Sequence, residues 1–111
     1  MIVGAGAAGR TLAKALLDAE GVLAPVGFID DDPPGDTVSG LPVLGGTADI
    51  AATVWPVRAH VAVVAIPSLP PARIAELIER VAAAGLDVRY VPPGGDPRAP
   101  LRLLGRDELK V

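Results

Sequence analysis

The chain contains no cysteine and only one residue each of Met, Trp, Tyr, Phe and His. Without thiols there is no disulfide framework, no thiolate metal site and no sulfur nucleophile, and a reducing compartment is permitted. A single histidine, His60, and a single tyrosine, Tyr90, leave few acid–base or nucleophile combinations, so neither a catalytic residue nor a metal-ligand set is expected. His60 precedes an apolar run with no partner nearby in sequence and reads as a surface residue at a strand entry. Phe28, Trp55 and Tyr90 are too few for a base-stacking platform. With 13 acidic against 10 basic residues, a net charge of −3, nothing draws the chain to a polyanion, and nucleic acid is not an expected partner. The longest apolar run, residues 61–66, falls far short of the roughly 20 residues that cross a bilayer. No basic region precedes a signal-like core, and a cytoplasmic location is expected.

What is present is a chain of 111 residues, half of them hydrophobic, which is the size of one compact domain. Its 13 glycines and 12 prolines are spread as punctuation between short elements. Ile2 and Val3 read as the end of a strand, followed by a helix over about residues 7–20 with Leu12, Leu16 and Leu17 on one face and Gly21 as its stop. A second strand over residues 26–29 ends at Asp30, before the irregular stretch 31–36. Residues 41–44 form a third, weak strand whose Pro42 suggests a strand start or a sheet edge.

Thr47 is the expected N-cap of a helix carrying Ile50 and Val54 that Pro56 ends or kinks. The β-branched run 61–66, closed by Pro67, has the composition of a strand buried on both faces. Ser68 is the expected cap of the next helix, with Pro70 and Pro71 in its first turn. That helix carries an apolar stripe of Ile74, Leu77, Ile78 and Val81, an outer face with a Glu76–Arg80 pair, and Gly85 past its end. Val88, Tyr90 and Val91 form a fifth strand. Alternating strands and helices predict an α/β, doubly wound, Rossmann-like three-layer sandwich around a parallel five-stranded sheet. Residues 1–98 are expected to form this domain. Residues 99–111 are expected to be a connector, with the amphipathic segment 101–106 taking no part in the sheet.

The chemistry lies in "GAGAAGR". Gly4, Gly6 and Gly9 match a phosphate-binding turn in which the first glycine permits the bend, the second lets backbone approach a pyrophosphate, and the third allows helix-to-strand packing. The amides of Ala7 and Ala8 open the following helix, whose N-terminus favours an anion. Arg10 sits in the first turn, either solvated or on a phosphate. Asp30, at the end of the second strand, stands where a ribose diol is held, and Asp31 follows it as a further candidate contact or a solvated turn residue. A carboxylate there accepts from ribose hydroxyls and repels a phosphate, so NAD is favoured over NADP and coenzyme A. Ser68 lies after the buried strand at the carboxyl edge, where such folds bind ligands. Tyr90 has Gly94 rather than lysine four residues on, so no Tyr/Lys catalytic pair is present and Tyr90 reads as strand packing.

The ordered set "IVGAGAAGRTLAKALL", "PVGFIDDDP", "SGLPVLGG", "VAVVAIPS" and "LLGRDEL" resembles the nucleotide-binding domain of CapD-type polysaccharide-biosynthesis proteins, nucleoside-diphosphate-sugar epimerases or dehydratases. The resemblance covers nearly the whole chain. It implies a membrane-anchored parent in which a cytoplasmic domain of this kind, labelled CoA-binding-like, precedes a separate catalytic domain of the same chain. It implies further that Gly4, Gly6 and Gly9 bind phosphate, that Asp30 binds ribose, and that Ser68 belongs to the loop after the fourth strand. A similar pattern occurs in N-terminal domains of sugar acyltransferases and in sugar-phosphate transferases, which keeps a UDP-sugar or CoA ligand open. The expected function is therefore a non-catalytic module that binds NAD or a related nucleotide through the Gly4 turn and Asp30, from a nucleotide-sugar dehydratase or epimerase, with a UDP-sugar or CoA module of a sugar acyltransferase or sugar-phosphate transferase as the alternative. A further alternative is an interaction domain whose sheet edge or Leu101 to Leu104 tail docks on a neighbouring domain or, as a homodimer, on a second copy. Since only two strand residues precede the turn where about five are usual, residues ahead of Met1 are expected to be missing.

Overall fold

The structure is a computed structural model that describes residues 1–18, 24–66 and 68–91, together with the strand Leu104–Gly105. Its elements run β1 (Ile2–Val3), α1 (Ala7–Asp18), β2 (Phe28–Ile29), β3 (Thr37–Val38), β4 (Leu41–Gly45), a 3-10 turn (Thr47–Asp49), α2 (Ile50–Val57), β5 (Val61–Val64), α3 (Pro71–Ala83), β6 (Asp87–Tyr90) and β7 (Leu104–Gly105). The strands lie in the order β3-β4-β2-β1-β5-β6-β7. The five inner strands, β4-β2-β1-β5-β6, are all parallel. Numbered among themselves they stand 3-2-1-4-5, the doubly wound order predicted from the alternation. The order reverses between β1 and β5, and that reversal places the ligand crevice of such a sheet at the carboxyl ends of these two strands.

Strand residues alternate between two cores, as a period of two requires when both faces are covered. Val3, Ile29, Ala62, Val64, Val88 and Tyr90 face α2 and α3, where they meet Ile50, Ile74, Ile78 and Val81. Ile2, Phe28, Val63, Ala65 and Val91 face α1, where they meet Leu12, Ala13 and Leu16. Short as it is, β1 is bonded on both sides: Ile2 N–H donates to Gly27 O at 2.9 Å and Val63 N–H to Met1 O at 3.0 Å. Tyr90 is buried in the sheet, in keeping with a packing role.

The structure differs from the expectation at both sheet edges and at two caps. Thr37–Val38 pairs antiparallel with Leu41 and Pro42 through a two-residue turn in which Ser39 and Gly40 both have positive φ, 53° and 78°. Such a turn matches the strand twist, and its Ser-Gly dipeptide was the readable signal. Leu104–Gly105 pairs antiparallel with Arg89 and Tyr90, so part of the segment expected to take no sheet role extends the sheet. The rest of that segment, and the stop at Gly21, lie outside the described residues. Thr47 does not cap α2; it opens the 3-10 turn, and Asp49 holds the N-cap position instead. Ser68 does not cap α3, because Pro70 occupies the N-cap in an extended conformation, with no side-chain bond, and Pro71 follows at the first helical position.

Candidate functional site

Each glycine of the turn after β1 has its own reason. Gly4 has φ +109°, and a Cβ there would lie 2.6 Å from Ile66 Cγ1 and 2.9 Å from Ala65 O. A Cβ on Gly9 would collide with the carbonyl of Gly4, so α1 can cross β1 this closely only with glycine. Gly6 is the opposite case: among the described residues, apart from its chain neighbours, nothing lies within 4 Å of the position its Cβ would take. It is exposed, and its carbonyl accepts from Arg10 N–H at 3.0 Å, so it stands at the start of α1. The first turn of α1 carries no acidic side chain, and the amides of Ala7, Ala8 and Gly9 have no acceptor within the helix. Arg10 is exposed and turns its Nε back to Gly6 O at 3.4 Å.

Asp30 is tied to this turn. Ala5 N–H donates to Asp30 Oδ2 at 2.7 Å, and Asp32 N–H donates to Oδ1 at 2.8 Å. The carboxylate therefore bridges the end of β2 to the glycine turn across the β1–β2 pair. Each carboxylate oxygen retains a further lone pair for a hydroxyl donor. Asp31 reaches the 3-10 turn beyond β4: Thr47 N–H donates to Asp31 Oδ1 at 2.8 Å and Thr47 Oγ1 to Oδ2 at 3.0 Å. A Cβ on Gly46 would lie 2.6 Å from Asp31 Oδ1, which makes glycine the residue that admits this approach.

Asp30 and Asp31 form one rim of a cleft of about 230 Å³ at the carboxyl edge of the sheet. Its apolar walls are Val3, Ile29, Ile66, Leu69 and Leu77, and α3 contributes Arg73 and Arg80 from the far side. Arg80 Nη1 reaches Thr47 Oγ1 at 3.5 Å, so the two sides of the cleft meet there. The expected Glu76–Arg80 pair is not formed; Glu76 pairs with Arg73 at 3.5 Å instead, on an exposed surface where such a pair contributes little. Ser68 is exposed and does not line the cleft.

The glycine turn meets Asp30 through the Ala5 N–H, and Asp30 and Asp31 line the cleft; Gly4, Gly6, Ala7, Ala8, Gly9, Arg10 and Ser68 do not line it, and Arg10 bonds back to Gly6. Thr47, Arg73 and Arg80 are the cleft residues that sequence reasoning passed over. The arginines are seven residues apart and so share a helix face, but their charge read as a solvated exterior. Among the described residues no group of His, Asp or Glu side chains could hold a metal ion. No helix among them is long and apolar enough to cross a membrane.

Three comparisons bear on this geometry. The family described as the PglD N-terminal domain matches residues 1–69, which include the glycine turn, Asp30, Asp31 and Thr47 but not α3. The chain is 33% identical over 95 residues to the probable polysaccharide biosynthesis protein EpsC of Bacillus subtilis (strain 168); the alignment covers 83% of this chain. The chain spans 16% of that protein's length. The fold is similar to that of UDP-D-quinovosamine 4-dehydrogenase from Vibrio fischeri, with a TM-score of 0.76 over 97% of this chain and 93% of that one, at 23% identity.

Proposed function

The chain belongs to the PglD N-terminal domain family, and from that premise we propose that it is the nucleotide-binding module of an enzyme that handles nucleotide-sugars in polysaccharide biosynthesis. The observation that carries the reading is Gly6. Gly4 and Gly9 are required by the protein's own packing, but Gly6 has no described residue beyond its chain neighbours near its Cβ position, at the start of a helix whose first amides have no acceptor within the helix. A glycine there serves an approaching group, and the helix N-terminus makes that group an anion such as a diphosphate. Asp30 supports the second contact, because it is already anchored by Ala5 and Asp32 and can accept from ribose hydroxyls without rearranging.

NAD is the ligand that the carboxylate at Asp30 favours over NADP and coenzyme A. In that reading Gly6, Ala7 and Ala8 would hold its pyrophosphate and Asp30 its adenosine ribose, and the bound cofactor would supply hydride chemistry. A UDP-sugar is the second reading, and a specific observation favours it. One mononucleotide half of the sheet, β1-β2-β4, is complete, whereas beyond β6 the place of a further parallel strand is taken by antiparallel β7. A cleft of about 230 Å³ beside Asp30 suits one nucleoside. In both readings this module binds the nucleotide and the catalytic groups come from another domain.

Calorimetric titration with NAD, NADP and a UDP-sugar tests the proposal. Binding of NAD or a UDP-sugar that is lost in Gly6→Val supports it, and the ligand that binds chooses between the readings. The absence of heat with every nucleotide, or equal binding by Gly6→Val, would overturn it.

A further inference from the structure

We propose that Arg80, positioned by Thr47, sets which base the cleft accepts: it donates to the C4 carbonyl of a uracil and so selects uridine nucleotides over cytidine and adenosine ones. The inference rests on the nucleotide reading and chooses the UDP-sugar within it. Asp30 belongs both to the glycine turn, through the Ala5 N–H, and to the cleft rim, whereas the turn itself does not line the cleft. A nucleotide with its diphosphate at the turn and its ribose on Asp30 therefore has its base in the cleft. At about 230 Å³ the cleft is smaller than the ~300 Å³ at which small-molecule sites ordinarily begin, which suits a single ring.

Recognition of that ring falls to hydrogen bonds at its edge. Ile66, Leu69 and Leu77 offer aliphatic surface, and none of the three aromatic side chains lines the cleft. The α3 wall carries two cations. Arg73 is paired with Glu76 at 3.5 Å. Among the described residues the contact of Arg80 is instead with a neutral hydroxyl, its Nη1 donating to Thr47 Oγ1 at 3.5 Å. Thr47 is itself fixed by the aspartate rim, since its N–H donates to Asp31 Oδ1 at 2.8 Å and its hydroxyl to Asp31 Oδ2 at 3.0 Å. The guanidinium is thus located at the cleft by one long bond, with its other N–H donors available to a ligand.

In a pyrimidine nucleotide the C4 substituent stands opposite the bond to the ribose, so with the ribose on Asp30 it reaches furthest towards the α3 wall. In uracil that substituent is a carbonyl, an acceptor for a guanidinium. In cytosine it is an amino group, a donor like the guanidinium itself, and the C6 amino group of adenine is a donor too. A base that turns a donor towards Arg80 displaces water from both groups and gains no bond, which is how a polar site rejects an analogue most strongly. Asp30 makes no such distinction, because all three nucleosides carry the same ribose diol.

Calorimetric titration of the whole chain with UDP, CDP and ADP tests the inference, because the three share ribose and diphosphate and any attraction of Arg80 to phosphate cancels in the ratio of their affinities. UDP should bind at least about tenfold more tightly than CDP or ADP. Arg80→Met, at an exposed position, removes the donors and should bring UDP and CDP to nearly equal affinity. Thr47→Val removes the acceptor that holds the guanidinium and should lower the same ratio, with the circular dichroism unchanged in both variants. Equal affinity for UDP and CDP, tighter binding of ADP than of UDP, or a ratio that Arg80→Met leaves unchanged overturns the inference and leaves the nucleotide reading in place. Absence of binding by all three overturns that reading, and the inference with it.

Discussion

Three glycines in one turn look alike in sequence and differ in what they do, which makes the residue the scale at which the site can be tested. Gly9→Ala should destabilise the fold by about 1–3 kcal/mol, since its Cβ meets the Gly4 carbonyl and α1 must move off β1. Gly6→Val should change stability by no more than about 1 kcal/mol, the scale of an N-cap substitution, and yet abolish nucleotide binding. Urea denaturation of the two variants beside a binding titration reads both effects. Asp30→Asn separates the roles differently. Both carboxylate oxygens accept from backbone N–H groups, and an amide leaves only one acceptor for them. The expected loss is about 1–3 kcal/mol of stability together with weaker nucleotide binding, read in the same two measurements.

At the scale of the element, α2 is the helix whose sequence and surroundings agree least. Pro56 removes a donor inside it, and it ends at Arg58 in the left-handed region, φ 52° and ψ 44°, where a side chain is strained. The C-cap N–H bonds to Val54 and Trp55 that accompany this turn are backbone bonds that any residue can make. Arg58→Gly should therefore stabilise the chain by about 1 kcal/mol, seen as a higher urea midpoint at unchanged slope. Helix α3 shows the other kind of disagreement. Its apolar stripe was legible from spacing alone, and Ile74, Ile78 and Val81 are buried as that spacing requires. Its arginines were misread because an i,i+4 partner at Glu76 explained Arg80 locally, while the residue it meets, Thr47, lies 33 positions away.

For the whole molecule, a free amine at Met1 sets a pH dependence through its burial at the amino end of β1. The Met1 ammonium donates to Val61 O at 2.8 Å, but burial outweighs this bond and lowers its pKa from 8.0 to about 6. Between these values the unfolded chain binds the proton and the folded chain does not, so stability rises with pH from 6 to 8. A chain with a free amine at Met1 should lose about 2 kcal/mol on going from pH 8 to pH 6, and acetylation should remove that slope in urea titrations. The two-sided burial of β1 explains the sign: a charge at this end enters the middle of the sheet rather than its rim.

The sequence by itself determined the layers, because strands buried on both faces must alternate between two cores and helices with one apolar stripe must cover them. It also determined that the glycine turn and Asp30 belong together, since both stand at strand ends where the parallel order brings them to one edge. It left the edges undecided: a two-residue strand such as Thr37–Val38 carries too few positions for a period, and β7 depends on a partner strand that is 14 residues away at its nearest pair. Only the tertiary structure decided which glycine faces open space and which faces the protein, for that depends on what other segments bring within reach of a Cβ. It alone made Asp30 a bridge rather than a free carboxylate, and set Arg73 and Arg80 across the cleft from it. Those contacts span tens of residues, and no local pattern encodes a distance of that kind.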